Sequence, residues 1–530
     1  MSGKILYGKK SSVPKDRNMG MGQLFFEQAE KIGDQIFQID ADTDKMETYR
    51  EVKTRSVRVA IELRKLGIES KDVVLICCKN NLDNIVPLLA SFYLGAYVAS
   101  ADPKQTSFDV DHILGLVEPK VIFVVEDALD LIQQSLKLYS YSPAIVVIGK
   151  SNVYKTMADM EEKIPEEDNF RPLALTGDHI ALISFSSGTT STPKGICVSH
   201  YAVLYGWTGT VEHNAFKPDV FLHRSSLYWG VYVIATALSI AQGYKVVVGT
   251  DIDAQRFLQI VDKYKVTSFF TSNMFSYEIT SLGRDIISKY DLSSLYSFLI
   301  GGSPVEPRQI LKLRELLPGV KVALIYGSTE ANTISTFDFT DEKAYDAKVS
   351  SSGTLLPDIE LKVVDVETSE LLGPNQQGEI LVRNPYIMSG YYHLNKPDSY
   401  DNEGFLKQGD LGYYDEDGYI YVRDRVNETF KYLKDQVSPS LIENVLMTHP
   451  SVKEAVVIGV PHPIDTARPA ACIVVNEGVQ VDLEELVLFV NSKMPDNHHI
   501  RAGIKIVDEI PRTPTGKVRR RAIRDLFVED

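Results

Sequence analysis

The sequence predicts an α/β fold: a large N-terminal domain of two layered α/β sheets with a small barrel-like β unit, followed by a small α/β C-terminal domain. Three observations carry this reading. β-favouring apolar runs alternate with helical patterns along most of the chain. The pattern then changes, over residues 359–382, to short strands separated by Gly, Pro and Asn turns. Finally, 530 residues exceed what one hydrophobic core usually supports.

Taken in order, residues 71–78 read as a strand, 84–94 as a helix and 120–125 as a strand. Residues 180–185 and 195–199 are two apolar runs on either side of a polar loop, which predicts a strand-loop-strand hairpin. Residues 228–241 form the longest apolar stretch. It is too short to span a membrane and reads as a buried core helix. Residues 245–249 and 266–271 are strands again, and the Gly373-Pro374-Asn375 turn interrupts the barrel-like unit. A strand at 419–423 leads to a boundary at Asp424-Arg425-Val426-Asn427, so the domains are expected at 1–426 and 427–530. The second holds a helix at 438–448, opened by Ser438-Pro439, and strands at 455–460 and 471–475, on the usual scale of a small domain.

A net charge of -15 argues against nonspecific nucleic-acid binding and against an anionic membrane surface as partner. Cys77 and Cys78 are adjacent, while Cys197 and Cys472 are isolated. This spacing fits neither a metal site nor a disulfide framework, so reduced, buried thiols in a cytoplasmic compartment are expected. The first residues lack the apolar core of a signal peptide, and the last, Phe527-Val528-Glu529-Asp530, do not read Ser-Lys-Leu, the peroxisomal address.

The segment most suggestive of chemistry is Phe185-Ser186-Ser187-Gly188-Thr189-Thr190-Ser191-Thr192-Pro193-Lys194-Gly195. Hydroxyls, backbone N–H groups and one lysine converge there, as a polyphosphate requires. It is not a Walker A loop, because the lysine follows a proline and precedes a glycine. Three further polar clusters follow apolar runs: Tyr326-Gly327-Ser328-Thr329-Glu330, Gln408-Gly409-Asp410 and Pro514-Thr515-Gly516-Lys517.

With these four segments in this order, the chain resembles the adenylate-forming superfamily, in its insect luciferase-like and 4-coumarate-CoA ligase-like branch. Gly378-Glu379-Ile380-Leu381-Val382-Arg383 and Gln436-Val437-Ser438-Pro439 extend the resemblance over nearly the whole length. It implies a distorted β-barrel at 359–382 and a mobile C-terminal lid. It implies ATP, Mg²⁺ and a small carboxylic acid as ligands, with CoA as cosubstrate, or O₂ if the chain is of the luciferase type. Ser187, Gly188, Thr189, Thr190 and Lys194 would close over the β- and γ-phosphates. Thr329 would bind the α-phosphate, Glu330 would hold the metal, and Asp410 would accept hydrogen bonds from the ribose hydroxyls. Tyr326 would pack on adenine, Gly301, Gly302 and Ser303 would line its other face, and Arg425 would reach ribose or phosphate. Lys517 would bridge the carboxylate and α-phosphate, and Lys431 would act from the opposite face of the lid. Tyr228, Trp229 and Gly230 match the acid pocket. A monomer or weak dimer is expected.

Three departures from the family pattern matter, at the phosphate loop for ATP closure, at the hinge, and at the CoA passage for the thioester step. Ser191 stands where the phosphate loop usually has Gly, and Asn427 replaces the usual hinge Asp or Lys. Lys434 occupies a glycine position beside the CoA tunnel. Three functions therefore stay open: an acid-CoA ligase, a luciferase-type monooxygenase that passes an adenylate to O₂, and a catalytically impaired binding paralogue. The Arg519-Arg520-Arg521 run reads as a solvated face.

Overall fold

In the computed structural model, which describes residues 3–186, 194–217, 219–395, 397–433, 435–512 and 518–527, the alternating runs form two large sheets. The first is built on the parallel strands Val73–Cys77, Tyr97–Ala101, Val121–Val125 and Ala144–Ile148. Strand Val73–Cys77 is buried along its entire length, which explains why it reads as a continuous apolar run and not an alternating one. Helix Ile85–Leu94, also wholly buried, stops where Gly95 turns left-handed at φ +69°. The predicted hairpin is present: Ile180–Ser186 and Lys194–Ser199 pair antiparallel, with Lys194 opposite Ser186 at the end next to the connecting segment.

The second sheet places Lys321–Ser328, Ser297–Gly301, Ser268–Ser272, Val220–His223 and Lys245–Val248 side by side and parallel. All five therefore end on one edge, the place where open α/β sheets bind ligands. Helix Gly230–Gln242 rises from that edge after the loop following His223.

Beyond Leu355 the chain makes the small β unit. Glu360–Val364, Gly378–Arg383, Leu406–Tyr414 and Ile420–Arg425 are antiparallel, and the order starts from Leu6–Tyr7. It is an open half-barrel. The pairing of Leu6 with Leu361 was not legible, because a two-residue strand has no periodicity to detect. A last sheet is formed by Phe430–Tyr432, Asp435–Val437, Val452–His462, Thr466–Val475 and Ile504–Ile506, with helices Pro439–Met447 and Leu483–Asn491 packed on it.

All four cysteines are buried and unbridged, as expected. The arginine run is a correction. Arg519 and Arg521 are exposed, but the side chain of Arg520 is only 15% exposed, lying 3.1 Å from Glu428 and 2.6 Å from Glu443. Its partners are far away in sequence, so a run of like charge concealed a buried ion pair.

Candidate active site

The site grows from a cross-strand pair. Asp410 and Arg425 face each other on neighbouring half-barrel strands, and Arg425 Nε lies 3.0 Å from Asp410 Oδ1. The Tyr326 hydroxyl, reaching across from the parallel sheet, donates to Asp410 Oδ2 at 2.7 Å. Asp410 thus has a fixed orientation on a side chain only 7% exposed. Its charge raises the pKa of Arg425, and burial together with Asp410 raises that of Tyr326, so both side chains stay protonated at neutral pH. Next to them, the Ser328 hydroxyl donates to Gln408 Oε1 at 2.7 Å, while Gln408 Nε2 is buried without a partner among the described residues. An oriented carboxylate beside an unspent amide donor fits a ligand rich in hydroxyls.

A ledge lies alongside. Gly302 has φ +89° and open space where a Cβ would be, whereas a Cβ on Gly301 would meet the Phe270 ring at 2.8 Å. Gly301 lets the strand pack and Gly302 lets it turn, leaving Gly302 and Ser303 exposed beside Tyr326. Tyr326 itself is buried, with its hydroxyl committed to Asp410.

The tight turn after strand Lys321–Ser328 presents Thr329 and Glu330. Neither side chain makes a hydrogen bond or ion pair among the described residues, and the Glu330 carbonyl accepts from Met388 N at 2.7 Å. The following residues tie that turn to the hairpin: Ser389 N donates to Cys197 O at 2.8 Å, and Tyr391 pairs with Ile196. Lys194 Nζ is 5.5 Å from the centre of the Tyr391 ring. Burial, and then the charge of Glu330, raise the pKa of that tyrosine. Lys194 and Glu330 thus flank one aromatic side chain. Among the described residues no cluster of three His, Cys, Asp or Glu could hold a metal. A lone carboxylate still fits Mg²⁺, which keeps its waters and takes substrate phosphates as ligands.

Where the sequence predicts an acid pocket, Tyr228 is buried, stacked on Phe185 at 6.2 Å and 9°, and Trp229 meets it edge-on at 5.9 Å and 88°. Tyr228 is core. Trp229 is half-buried at the start of helix Gly230–Gln242, and Gly230 is exposed with open space beside it. Arg224, on the same loop, carried no signal at the sequence level.

Asn427 is exposed in the turn after strand Ile420–Arg425. Lys431 Nζ lies 2.6 Å from Glu367 with both side chains more than half exposed, a pair worth little. The bonds holding the last sheet were missed from sequence: the Ser438 hydroxyl donates to Asp424 at 2.6 Å, and Arg520 bridges Glu428 and Glu443. Ser187, Gly188, Thr189, Thr190, Ser191, Lys434 and Lys517 lie outside the described residues.

Comparison with known proteins matches this frame to the AMP-binding enzyme family over residues 25–392, and to the AMP-binding enzyme C-terminal domain over residues 441–517. The chain belongs to the AMP-binding enzymes. Among its relatives in the family, it is 31% identical to luciferin 4-monooxygenase of Luciola mingrelica, over 99% of this chain and 97% of that one. It is 28% identical to 4-coumarate–CoA ligase 1 of Petroselinum crispum, over 98% and 96%. A solved luciferase-like enzyme from the nonluminescent mealworm Zophobas morio is 40% identical, with a TM-score of 0.77 over 81% of this chain and 100% of that one. The family's fold and the predicted class, layered α/β sheets with a half-barrel and a C-terminal domain, therefore agree.

Proposed function

We propose that this chain activates a small carboxylic acid with ATP to an acyl-adenylate and then transfers the acyl group to CoA. The observation that supports this best is the Asp410 carboxylate, oriented by Arg425 and Tyr326 at the edge where Thr329 and Glu330 turn. In this reading Asp410 accepts from the two ribose hydroxyls. Thr329 donates to the α-phosphate, and Lys194 with the Ser187–Gly188–Thr189–Thr190 loop holds the leaving pyrophosphate. Lys517 bridges the acid's oxygen and the α-phosphate as the bond between them forms and the bond to pyrophosphate breaks. A Mg²⁺ held at Glu330 would neutralise charge on the phosphates. The turn at Asn427 is the hinge between domains 1–426 and 427–530, and it lets Lys517 and then Lys431 face the site.

A second reading is favoured by the likeness to luciferin 4-monooxygenase: the adenylate meets O₂ in place of a thiol. Lys434, standing where relatives carry glycine in the CoA passage, points the same way. One assay separates these readings. Pyrophosphate release is measured over fatty, aromatic and amino acids, with and without CoA, alongside light detection. Acid-dependent release followed by thioester formation supports the ligase, and light without CoA the oxygenase. ATP binding with no release under any condition leaves the impaired paralogue.

A further inference from the structure

Arg224 directly follows strand Val220–His223, on the same edge of the parallel sheet that carries Gly301, Gly302 and Tyr326. Its guanidinium lies 4.1 Å from the centre of the Phe275 ring, and Nε donates to the Ile252 carbonyl at 2.7 Å. These contacts fix the plane of the fork while using one of its five N–H groups. Among the described residues, no carboxylate comes within ion-pair distance of it. Glu278, Asp251 and Asp253 act on it only through space. Two of these acids are otherwise engaged: Asp251 lies 2.6 Å from Lys104 Nζ, and Asp253 accepts from Arg256 N at 2.7 Å. Burial lowers the guanidinium's pKa in spite of all three, as happens when a cation is desolvated without a matching anion.

The strand order turns this side chain into a ruler. Between Lys321–Ser328 and Val220–His223 lie Ser297–Gly301 and Ser268–Ser272, hence three strand spacings or about 14 Å. Gly302, Ser303, Ser272 and Met274 are exposed along that edge. We propose that Arg224 is a specificity-determining residue that receives a second carboxylate at the far end of the acid, so that the substrate class is dicarboxylic acids of about that span. This rests on the adenylation reading above. A planar carboxylate matches the fork's geometry, whereas a hydrocarbon end would press against N–H groups and leave them unpaired.

The test measures pyrophosphate release by the full-length protein over α,ω-dicarboxylic acids of increasing length and monocarboxylic acids of the same lengths. Wild type, Arg224→Met and Arg224→Lys are compared. Wild type should favour the dicarboxylic acids by roughly tenfold or more in kcat/KM at a preferred length. Arg224→Met should collapse that ratio, chiefly by raising KM for the dicarboxylic acids, and Arg224→Lys should keep part of it. No preference in wild type, or equal losses on both acid series with a lower Tm, would overturn the proposal and make Arg224 a cover for Phe275. If no acid releases pyrophosphate, the adenylation reading fails by itself. Arg224 is then judged by calorimetry with the dicarboxylic acids: binding that Arg224→Met abolishes keeps the site, and binding absent from wild type removes it.

Discussion

In the proposed reading, the nucleotide half and the acid half of the cleft are built differently. On the nucleotide side, each functional group stands on a regular strand or in the tight turn after one, and its position is fixed by a ladder: Asp410 opposite Arg425, Tyr326 opposite Ser335. On the acid side, the groups hang on the loop between His223 and Gly230 and are fixed by side-chain packing, Tyr228 on Phe185 and Arg224 on Phe275. Backbone ladders tolerate few alternatives, whereas packed aromatic side chains can be exchanged at modest cost. In the proposed reading, chemistry thus stands on rigid elements, and specificity on a replaceable loop.

If that contrast holds, Asp410→Ala should produce the largest effect, lowering pyrophosphate release by about 10²–10³-fold for every acid alike. A loss confined to some acids would blur the two halves. Next, Glu330→Ala should lower release for all acids and be partly rescued by excess Mg²⁺. Activity unchanged at low Mg²⁺ would remove Glu330 from the metal site. Trp229→Ala should instead reorder the acids by about 1–3 kcal/mol in favour of bulkier ones. A uniform decline with a lower melting temperature would assign Trp229 to the core.

The smallest effect concerns pH. His223, at the end of the strand that leads into the loop before Gly230, is buried with neither ring nitrogen partnered among the described residues, and burial lowers its pKa from 6.5 to about 3. As pH falls below 6.5 the unfolded chain takes up a proton that the folded chain resists. The stability of the neutral imidazole is therefore lost progressively between pH 6.5 and about 3. His200 adds a second such group, also lowered to about 3 by burial. His223→Leu should flatten the decline of Tm with acidification across that window, and an unchanged slope would show that His223 does not govern it.

Much of this frame was legible in the amino-acid sequence. The hairpin of Ile180–Ser186 and Lys194–Ser199 was visible because both strands are apolar runs bounded by turn residues, and the half-barrel because short strands need Gly and Pro turns. Asp410, Glu330 and Thr329 were named as candidates because their motifs are contiguous. The order of chemical groups along the chain and the fold class are local properties, set by periodicity and turn chemistry. What needed the tertiary structure were pairings between distant residues. The Asp410 carboxylate is oriented by Tyr326, 84 positions away, and Arg520 is buried against Glu428, 92 positions away. Arg224 finds its carbonyl partner only because the parallel strands bring Ile252 to the same edge. Local patterns encode which element forms, but the energy of a buried charge depends on what surrounds it in space, and that is decided only when the sheets pack.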